Sequence, residues 1–345
     1  METKVTSVDN FMDNKNNYKQ AVDILRDGDV VAFPTETVYG LGALATNEQA
    51  VQKIFKAKGR PSDNPLIVHI GTIEDVQKYA SGITEDAEKL MTAFWPGPLT
   101  IVLHKTPGVI APNVTPGVET VGIRMPDHPV ALGLLRALGG PLAAPSANRS
   151  GKPSPTEAAH VHADLNGFIP LILDGGQTGV GVESTVLDMT VTPPAILRPG
   201  GVTREMIENV IGPVQMESKV VDDQAPRAPG MKYMHYAPSA PLFVIAPDEH
   251  EIRKAVAALQ NEGEKVAVIG PDEFDIPDAD WYFASGPLHD NEKMAANLYR
   301  ALRQCDLTDA NSILAVETDM TGVGAAVMNR LTKAADGKRY INKTK

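Results

Sequence analysis

Residues 30–47 read VVAFPTETVYGLGALATN, and the assignment of the fold turns on what the glycines in this stretch do. Val30 to Phe33 is a short apolar strand stopped by Pro34. Gly40, Gly42 and Ala45 then match G-x-G-x-x-A, the spacing of a dinucleotide-binding turn, with Asp63 placed as a candidate ribose acid. The context does not fit. That turn needs strand, glycines and helix in immediate succession. Here Pro34 and the TETVYG connection intervene, the next helix starts only near Asn47, and Asp63 sits in a proline-flanked turn. The glycines are a decoy. Gly322-Val323-Gly324, ahead of the last helix, is an incomplete version that helix packing explains equally well. No phosphate-loop pattern (GxxxxGKS or GxxxxGKT) occurs, so a nucleotide bound here is not held in that way.

Outward from that stretch, a helical rhythm over Asn14 to Asp27 ends at Gly28. Asn47 caps a helix to Lys58, with Val51, Ile54 and Phe55 as its stripe and Gly59 as its stop. Strands are expected at Leu66–Ile70, Leu99–Leu103, Val121–Met125, Leu171–Asp174, Thr185–Met189 and Ala195–Arg198. Helices are expected at Ala87–Phe94, Pro129–Leu138, Pro155–Ala163 and Arg204–Ile211. Strands outnumber helices without strict alternation, which predicts an α/β fold built on a twisted mixed sheet.

From about Val214 the texture becomes that of a linker, rich in proline and scattered charge. Beyond it, strand Leu242–Ile245, helix His250–Asn261, strand Lys265–Ile269, an apolar stretch at Trp281–Ala284, helix Asn291–Cys305, strand Ile313–Val316 and helix Gly324–Ala335 alternate regularly. That order predicts a small Rossmann-like parallel α/β domain. The expected organisation is residues 1–213, a linker over 214–240, and residues 241–345.

Composition narrows the class. A chain of 345 residues exceeds the usual size of one core. Its 32 Lys+Arg against 43 Asp+Glu give a net charge of −11, which does not suit a surface coated in nucleic acid or anionic lipid. The single Cys305 excludes an internal disulfide and any cysteine-cluster metal site. The polar N-terminus has no signal-like apolar region, and no apolar run is long enough to span a membrane. The expectation is a soluble cytoplasmic protein with no membrane partner.

The basic residues are the most informative. Lys58 and Arg60 flank Gly59 at a helix end, and Arg60 is followed by the rigid turn Pro-Ser-Asp-Asn-Pro. Arg124 lies inside the apolar strand VGIRMP, and Arg198 ends AILRPG. A buried arginine needs an anion, either an internal carboxylate or a ligand phosphate or carboxylate. Several of them in a net-acidic chain point equally to an anionic ligand. Alternation puts His69 on the face of Ile67, opposite Leu66, Val68 and Ile70; a lone strand histidine of this kind is more often a satisfied core residue than a ligand. His160 and His162 face different ways on a helix, so no protein-held metal is expected. Thr35, Thr37, Ser146, Asn148, Ser184 and Thr185 cluster in loops at strand ends, as turn chemistry or as neutral donors for a ligand. No Ser or Cys stands in a nucleophile elbow, which argues against covalent catalysis.

Taken together, PTETVYGLG, IFKAKGRPSDNPLIVHI, VGIRMPDH, APSANRSG and ESTVLD resemble the YrdC-like family. Its hallmark Lys-x-Arg and Ser-x-Asn fall here on Lys58-Gly59-Arg60 and Ser146-Ala147-Asn148. The resemblance covers about Asn14 to Ile211. PGMKYMHYAP and GVGAAVMNRLTKAA look like the longer, two-domain members, the L-threonylcarbamoyladenylate synthases. The resemblance implies that L-threonine, bicarbonate and ATP, the last with Mg²⁺, yield L-threonylcarbamoyl-AMP, pyrophosphate and water. The product would pass to the tRNA threonylcarbamoyl transferase complex. It implies a nucleotide and phosphate site of Lys58, Arg60, Asn64, Thr120, Ser146, Asn148, Ser154 and Arg198. It implies a threonine pocket of Thr35 or Thr37, His69, Arg124, the Ala144 backbone and Ser184. The linker would fold over the cavity as a lid, bringing Tyr236 to the nucleotide.

Three rivals stand beside this reading. An RNA-binding module, using a concave basic face for weak RNA binding, is opposed by the net charge and the lack of aromatic-interleaved basic runs. A transferase using carbamoyl phosphate would carry zinc-finger and acylphosphatase-like regions that this sequence lacks. A dinucleotide oxidoreductase rests on Gly40 and Gly42 alone.

Overall fold

A computed structural model describes residues 2–8, 15–216 and 235–342. The chain divides into two compact units. Met1–Ser150, Ser154–Gly179 and Glu183–Lys232 make the first; Gly151–Pro153, Val180–Val182 and Tyr233–Lys345 make the second. Most of the expected linker over 214–240 lies outside the described residues, and so does the lid expected of it.

The strands of the first unit are β1 (Lys4–Ser7), β2 (Val31–Phe33), β3 (Gly40–Leu44), β4 (Ile67–His69), β5 (Ala80–Ser81) and β6 (Leu99–Lys105). They continue with β7 (Thr120–Arg124), β8 (Leu142–Ala143), β9 (Leu171–Asp174), β10 (Thr185–Asp188), β11 (Ala195–Arg198) and β12 (Gln215–Met216). Its helices are α1 (Lys15–Arg26), α2 (Glu48–Lys58), α3 (Val76–Tyr79), α4 (Glu85–Phe94), α5 (Pro129–Leu138), α6 (Ala158–Leu165) and α7 (Arg204–Ile211). The strands form one mixed sheet in the order β1-β9-β2-β3-β8-β4-β7-β6-β10-β11-β12, with β5 on β6.

Alternation along these strands sorts the residues into two faces. Leu66, Val68 and Ile70 around β4, Val121 and Ile123 of β7, and Leu99, Ile101 and Leu103 of β6 point into the main core, with Val51, Ile54 and Phe55 of α2. Val31 and Phe33 of β2 and Leu171 and Leu173 of β9 point the other way, into a second core under α1 and α5. That second core covers the β9-β2-β3-β8 half of the face. On the remaining half lie Ile67 and His69, then Thr120, Gly122 and Arg124, then Thr100 and Val102. A small apolar floor of Val102, Val186, Ala195 and Leu197 continues it.

Several elements depart from expectation for identifiable reasons. Gly40 and Gly42 lie inside β3, antiparallel to β2, not in a turn. The Phe33 ring packs against them so closely that a Cβ on Gly42 would stand 2.8 Å from its Cε1. Close packing, and not phosphate approach, is what these glycines serve. Helix α6 begins at Ala158, later than Pro155, because the Tyr39 N–H takes the Pro155 carbonyl at 2.8 Å and holds that residue in the loop. Strand β1 has no apolar alternation to announce it: KVTS is mostly exposed and pairs only through its backbone with β9.

The second unit has β13 (Leu242–Ile245), β14 (Val266–Gly270), β15 (Trp281–Ala284) and β16 (Ser312–Val316), with α8 (Glu249–Asn261), α9 (Asn291–Cys305) and α10 (Gly324–Ala334). The sheet runs β13-β16-β14-β15, and every pairing is parallel. Its core joins Ile252, Val256 and Leu259 of α8 to Val266, Val268 and Leu314 of the sheet. The expected parallel α/β domain is observed, with Trp281–Ala284 as one of its two edge strands. Among the described residues no helix is long and apolar enough to cross a membrane.

Candidate active site

Helix α2 delivers the first basic group. Its N-terminus is capped by Asn47, whose Oδ1 accepts from the Ala50 N–H, and its C-terminus closes on Gly59 at φ 62°. The Arg60 N–H then reaches back to the Phe55 carbonyl at 3.0 Å, a bond only a left-handed residue in between permits. Lys58 is thereby turned inward, 2% exposed, and its Nζ donates to the carbonyls of Ser146 at 2.5 Å and Asn148 at 2.6 Å. The Lys-x-Arg and Ser-x-Asn signals meet here. Ser146 donates its hydroxyl to Asn148 Oδ1 at 2.6 Å, and the backbone around Ser146 bridges to Gly40. Arg60 NH2 donates to the Pro65 carbonyl at 3.3 Å, across the turn that carries Asn64. The Asn64 side chain is 1% exposed, yet neither its Oδ1 nor its Nδ2 has a hydrogen-bond partner.

The second cluster lies at the ends of β4 and β7. His69 and Arg124 are direct neighbours in the parallel register of those strands. Burial, with the adjacent Arg124 guanidinium, pushes the His69 imidazole down to a pKa of about 3 and keeps it neutral. Its Nδ1 is buried without a partner. The main chain of Ala144 is tied to β4 by its N–H to the Ile67 carbonyl at 2.9 Å. Arg124, 4% exposed, donates from Nε to the Gly97 carbonyl at 3.3 Å and from NH1 to Thr37 Oγ1 at 3.0 Å. Its NH2 stands 2.7 Å from Glu36 Oε2.

The two threonines of the PTETVYG loop do different work. Thr35 Oγ1 accepts from the Thr37 and Val38 N–H groups and donates to the Val38 carbonyl at 2.7 Å, so its hydroxyl holds the turn. Thr37 faces Arg124. Tyr39 anchors the far end of the loop, its hydroxyl donating to the Gly176 carbonyl at 2.7 Å. Burial raises the pKa of that phenol, so it stays protonated.

A third group stands where β10 and β11 begin and end. Ser184 Oγ is 2.8 Å from Thr100 Oγ1. The Ser184 carbonyl accepts from Arg198 Nε at 3.1 Å and NH2 at 2.9 Å. Ser154 donates to Glu183 Oε1 at 2.5 Å. Thr120 is half-buried at the opposite end of β7 from Arg124, about 13 Å away by strand rise. Tyr236 belongs to the second unit. It has a positive φ of 68°, its ring lies near that of Tyr299, and the Arg330 guanidinium is 5.6 Å from its centroid.

Sequence reasoning missed Glu36, Glu183 and Thr100. Glu36 was in view between Thr35 and Thr37, but nothing in the spacing showed that the turn would set its carboxylate beside Arg124. The open question of Arg124's anion thus has an internal answer, Glu36, while Arg198 bonds to a carbonyl. Among the described residues no group of three or more His, Cys, Asp or Glu is placed to hold a metal ion.

Buried cations, neutral donors and unpartnered buried polar atoms at strand ends and loops define a protein that binds a small anionic ligand. Residues 23–200 match the Sua5–YciO–YrdC family, described as "Telomere recombination". Residues 202–336 match "Threonylcarbamoyl-AMP synthase, C-terminal domain". A threonylcarbamoyl-AMP synthase of Bacillus subtilis is 50% identical over 343 residues, 98% of this chain and 99% of that one. One from Pyrococcus abyssi is 50% identical over 327 residues, 93% of this chain and 94% of that one. A crystal structure of P. abyssi Sua5 complexed with L-threonine superimposes with a TM-score of 0.92 at 47% identity, covering 98% of this chain and 99% of that chain. The chain belongs to the threonylcarbamoyl-AMP synthase family.

Proposed function

We propose that this chain is a nucleotidyltransferase that condenses L-threonine, bicarbonate and ATP to L-threonylcarbamoyl-AMP, pyrophosphate and water. The product serves the N6-threonylcarbamoyladenosine modification of tRNA and is handed to the transferase complex that completes it. Residues 1–213 carry the chemistry, and residues 241–345 form the accessory domain. The reading is supported by polar atoms at Asn64 and His69 that are buried without a protein partner, Asn64 in the turn that Arg60 spans and His69 beside Arg124. A fold keeps such atoms unsatisfied at a cost of about 1–3 kcal/mol each, a cost that a ligand offsets.

The threonine carboxylate docks on Arg124, with Thr37, the Ala144 main chain and Ser184 around it and neutral His69 beside it. The threonine amine adds to bicarbonate, expelling water and leaving a carbamate. A carbamate oxygen then attacks the α-phosphorus of ATP and pyrophosphate departs. Lys58, Arg60 and Arg198 stabilise the charge on the phosphates. Asn64, Thr120, Ser146, Asn148 and Ser154 orient the nucleotide, and the family resemblance assigns Tyr236 to it as well. ATP arrives as its Mg²⁺ complex, the ion supplying charge neutralisation on the polyphosphate. The steps require positioning and cationic stabilisation and no enzyme nucleophile.

Pyrophosphate release by the purified chain tests the proposal. Release that depends on both L-threonine and bicarbonate, and is lost in Lys58→Ala or Arg60→Ala, is the expected result. Release without threonine, or none under any condition, overturns it.

A further inference from the structure

The reaction as outlined leaves Glu36 without a task, and its surroundings call for one. Its side chain is 12% exposed, in a turn locked by Thr35, and it stands 2.7 Å from an Arg124 guanidinium that is itself 4% exposed. The approach is close but off line: neither Glu36 oxygen accepts a hydrogen bond. An ionised carboxylate presents about four lone-pair sites, and removing them from water without donors is costly. Arg124 is in a similar position. Nε and NH1 are bonded to Gly97 and Thr37, whereas NH2 makes no hydrogen bond.

A ligand that completed only one of these groups would leave the other worse off. A lone anion on Arg124 would be repelled by Glu36, and a lone cation on Glu36 by Arg124. A zwitterion satisfies both. In an α-amino acid the carboxylate and the ammonium are attached to one carbon, so they present opposite charges side by side, as Arg124 and Glu36 do. Thr37 Oγ1, which accepts from Arg124 NH1, ties the guanidinium to the turn that carries Glu36.

We propose that Glu36 is the acceptor for the α-ammonium of the amino acid substrate, forming with Arg124 a paired-charge site that selects an α-amino acid zwitterion. This rests on the reading that L-threonine binds at Arg124. Its consequence is discrimination. Carboxylates that lack the ammonium, including hydroxy acids of the same shape, meet the uncompensated carboxylate of Glu36 and are rejected.

Calorimetric titration of the full-length chain tests this. The probes are L-threonine and 2,3-dihydroxybutanoate of matching stereochemistry, in which a hydroxyl replaces the ammonium; the weaker ligand is measured by displacement. In Glu36→Gln, which keeps the size of the side chain, L-threonine is expected to bind at least tenfold more weakly. The hydroxy acid stays within about twofold or binds more tightly, so the ratio of the two affinities collapses. Glu36→Asp, which keeps the charge, retains most of the ratio. It also serves as the measurable variant if Glu36→Gln folds poorly.

An equal loss for both ligands overturns the proposal, because Glu36 would then only prop Arg124. So does unchanged or tighter L-threonine binding, which would make Glu36 a competitor for Arg124. If the unaltered chain binds no L-threonine, the underlying reading fails and this inference falls with it.

Discussion

The imidazole of His69 offers a test of the site that needs no ligand. In an unfolded chain a histidine titrates at about pH 6.5; in the fold, burial and Arg124 push His69 down to about 3. Between those values the unfolded state binds a proton that the folded state refuses. Stability therefore rises with pH through this window and is lost on acidification. One proton is worth about 1.4 kcal/mol per pH unit. Going from about pH 7.5 to about pH 4.5 should thus cost the His69 protein about 3 kcal/mol that a His69→Gln variant does not lose.

The two tryptophans make the assay specific. Trp95 is buried in the first unit, its Nε1 donating to the Leu99 carbonyl at 2.7 Å, and Trp281 lies in the second. In a Trp281→Phe background, urea unfolding followed by Trp95 fluorescence reports the unit that contains His69. Acid effects at other groups are common to both proteins and cancel in the difference. Equal losses in parent and variant would refute the argument, as would a His69 ring resonance that shifts with a midpoint near 6.5.

Further outcomes follow from single side chains. Asn64→Leu removes a buried amide that has no partner, so thermal stability should hold or rise while ATP affinity, measured by calorimetry, drops about tenfold. Thr35→Val breaks the turn and should lower stability by about 1–3 kcal/mol in urea unfolding. Thr37→Val should raise the KM for threonine several-fold and also lower stability by about 1–3 kcal/mol, since it removes an acceptor of buried Arg124 and the hydroxyl bonded to Thr35 Oγ1. Burial pushes the Cys305 thiol up to about 12, so a colorimetric thiol reagent at neutral pH should react slowly with the folded chain and at once in denaturant.

Much of the fold was legible because it follows from local chemistry. The cap at Asn47, the stop at Gly59 and the alternation around His69 are statements about neighbouring residues, and each is observed. The decoy glycines were recognised by their context, though their packing against Phe33 needed a tertiary contact to see. The site was less accessible. That Arg124 sits in a buried strand and Arg198 ends one could be read; which partner each takes could not. Glu36 reaches Arg124 across 88 positions of chain, and no periodicity encodes such a distance. Thr35 and Thr37 were indistinguishable until the turn put one hydroxyl on the backbone and the other on Arg124, with the two 2.8 Å apart.

The bonds of Lys58 to Ser146 and Asn148 carry one more implication. Both acceptors are main-chain carbonyls, and any residue would supply them. The latch between the end of α2 and the loop after β8 is therefore blind to side-chain identity at 146, while at 148 the Asn148 Oδ1 adds a longer acceptor at 3.5 Å. A change of Ser146 to Ala should leave the lysine in place and delete one hydroxyl together with its bond to Asn148 Oδ1. At Ser146 architecture and chemistry are thus written in separate atoms of one residue, and a graded series there can vary the chemistry while the lysine latch stands still.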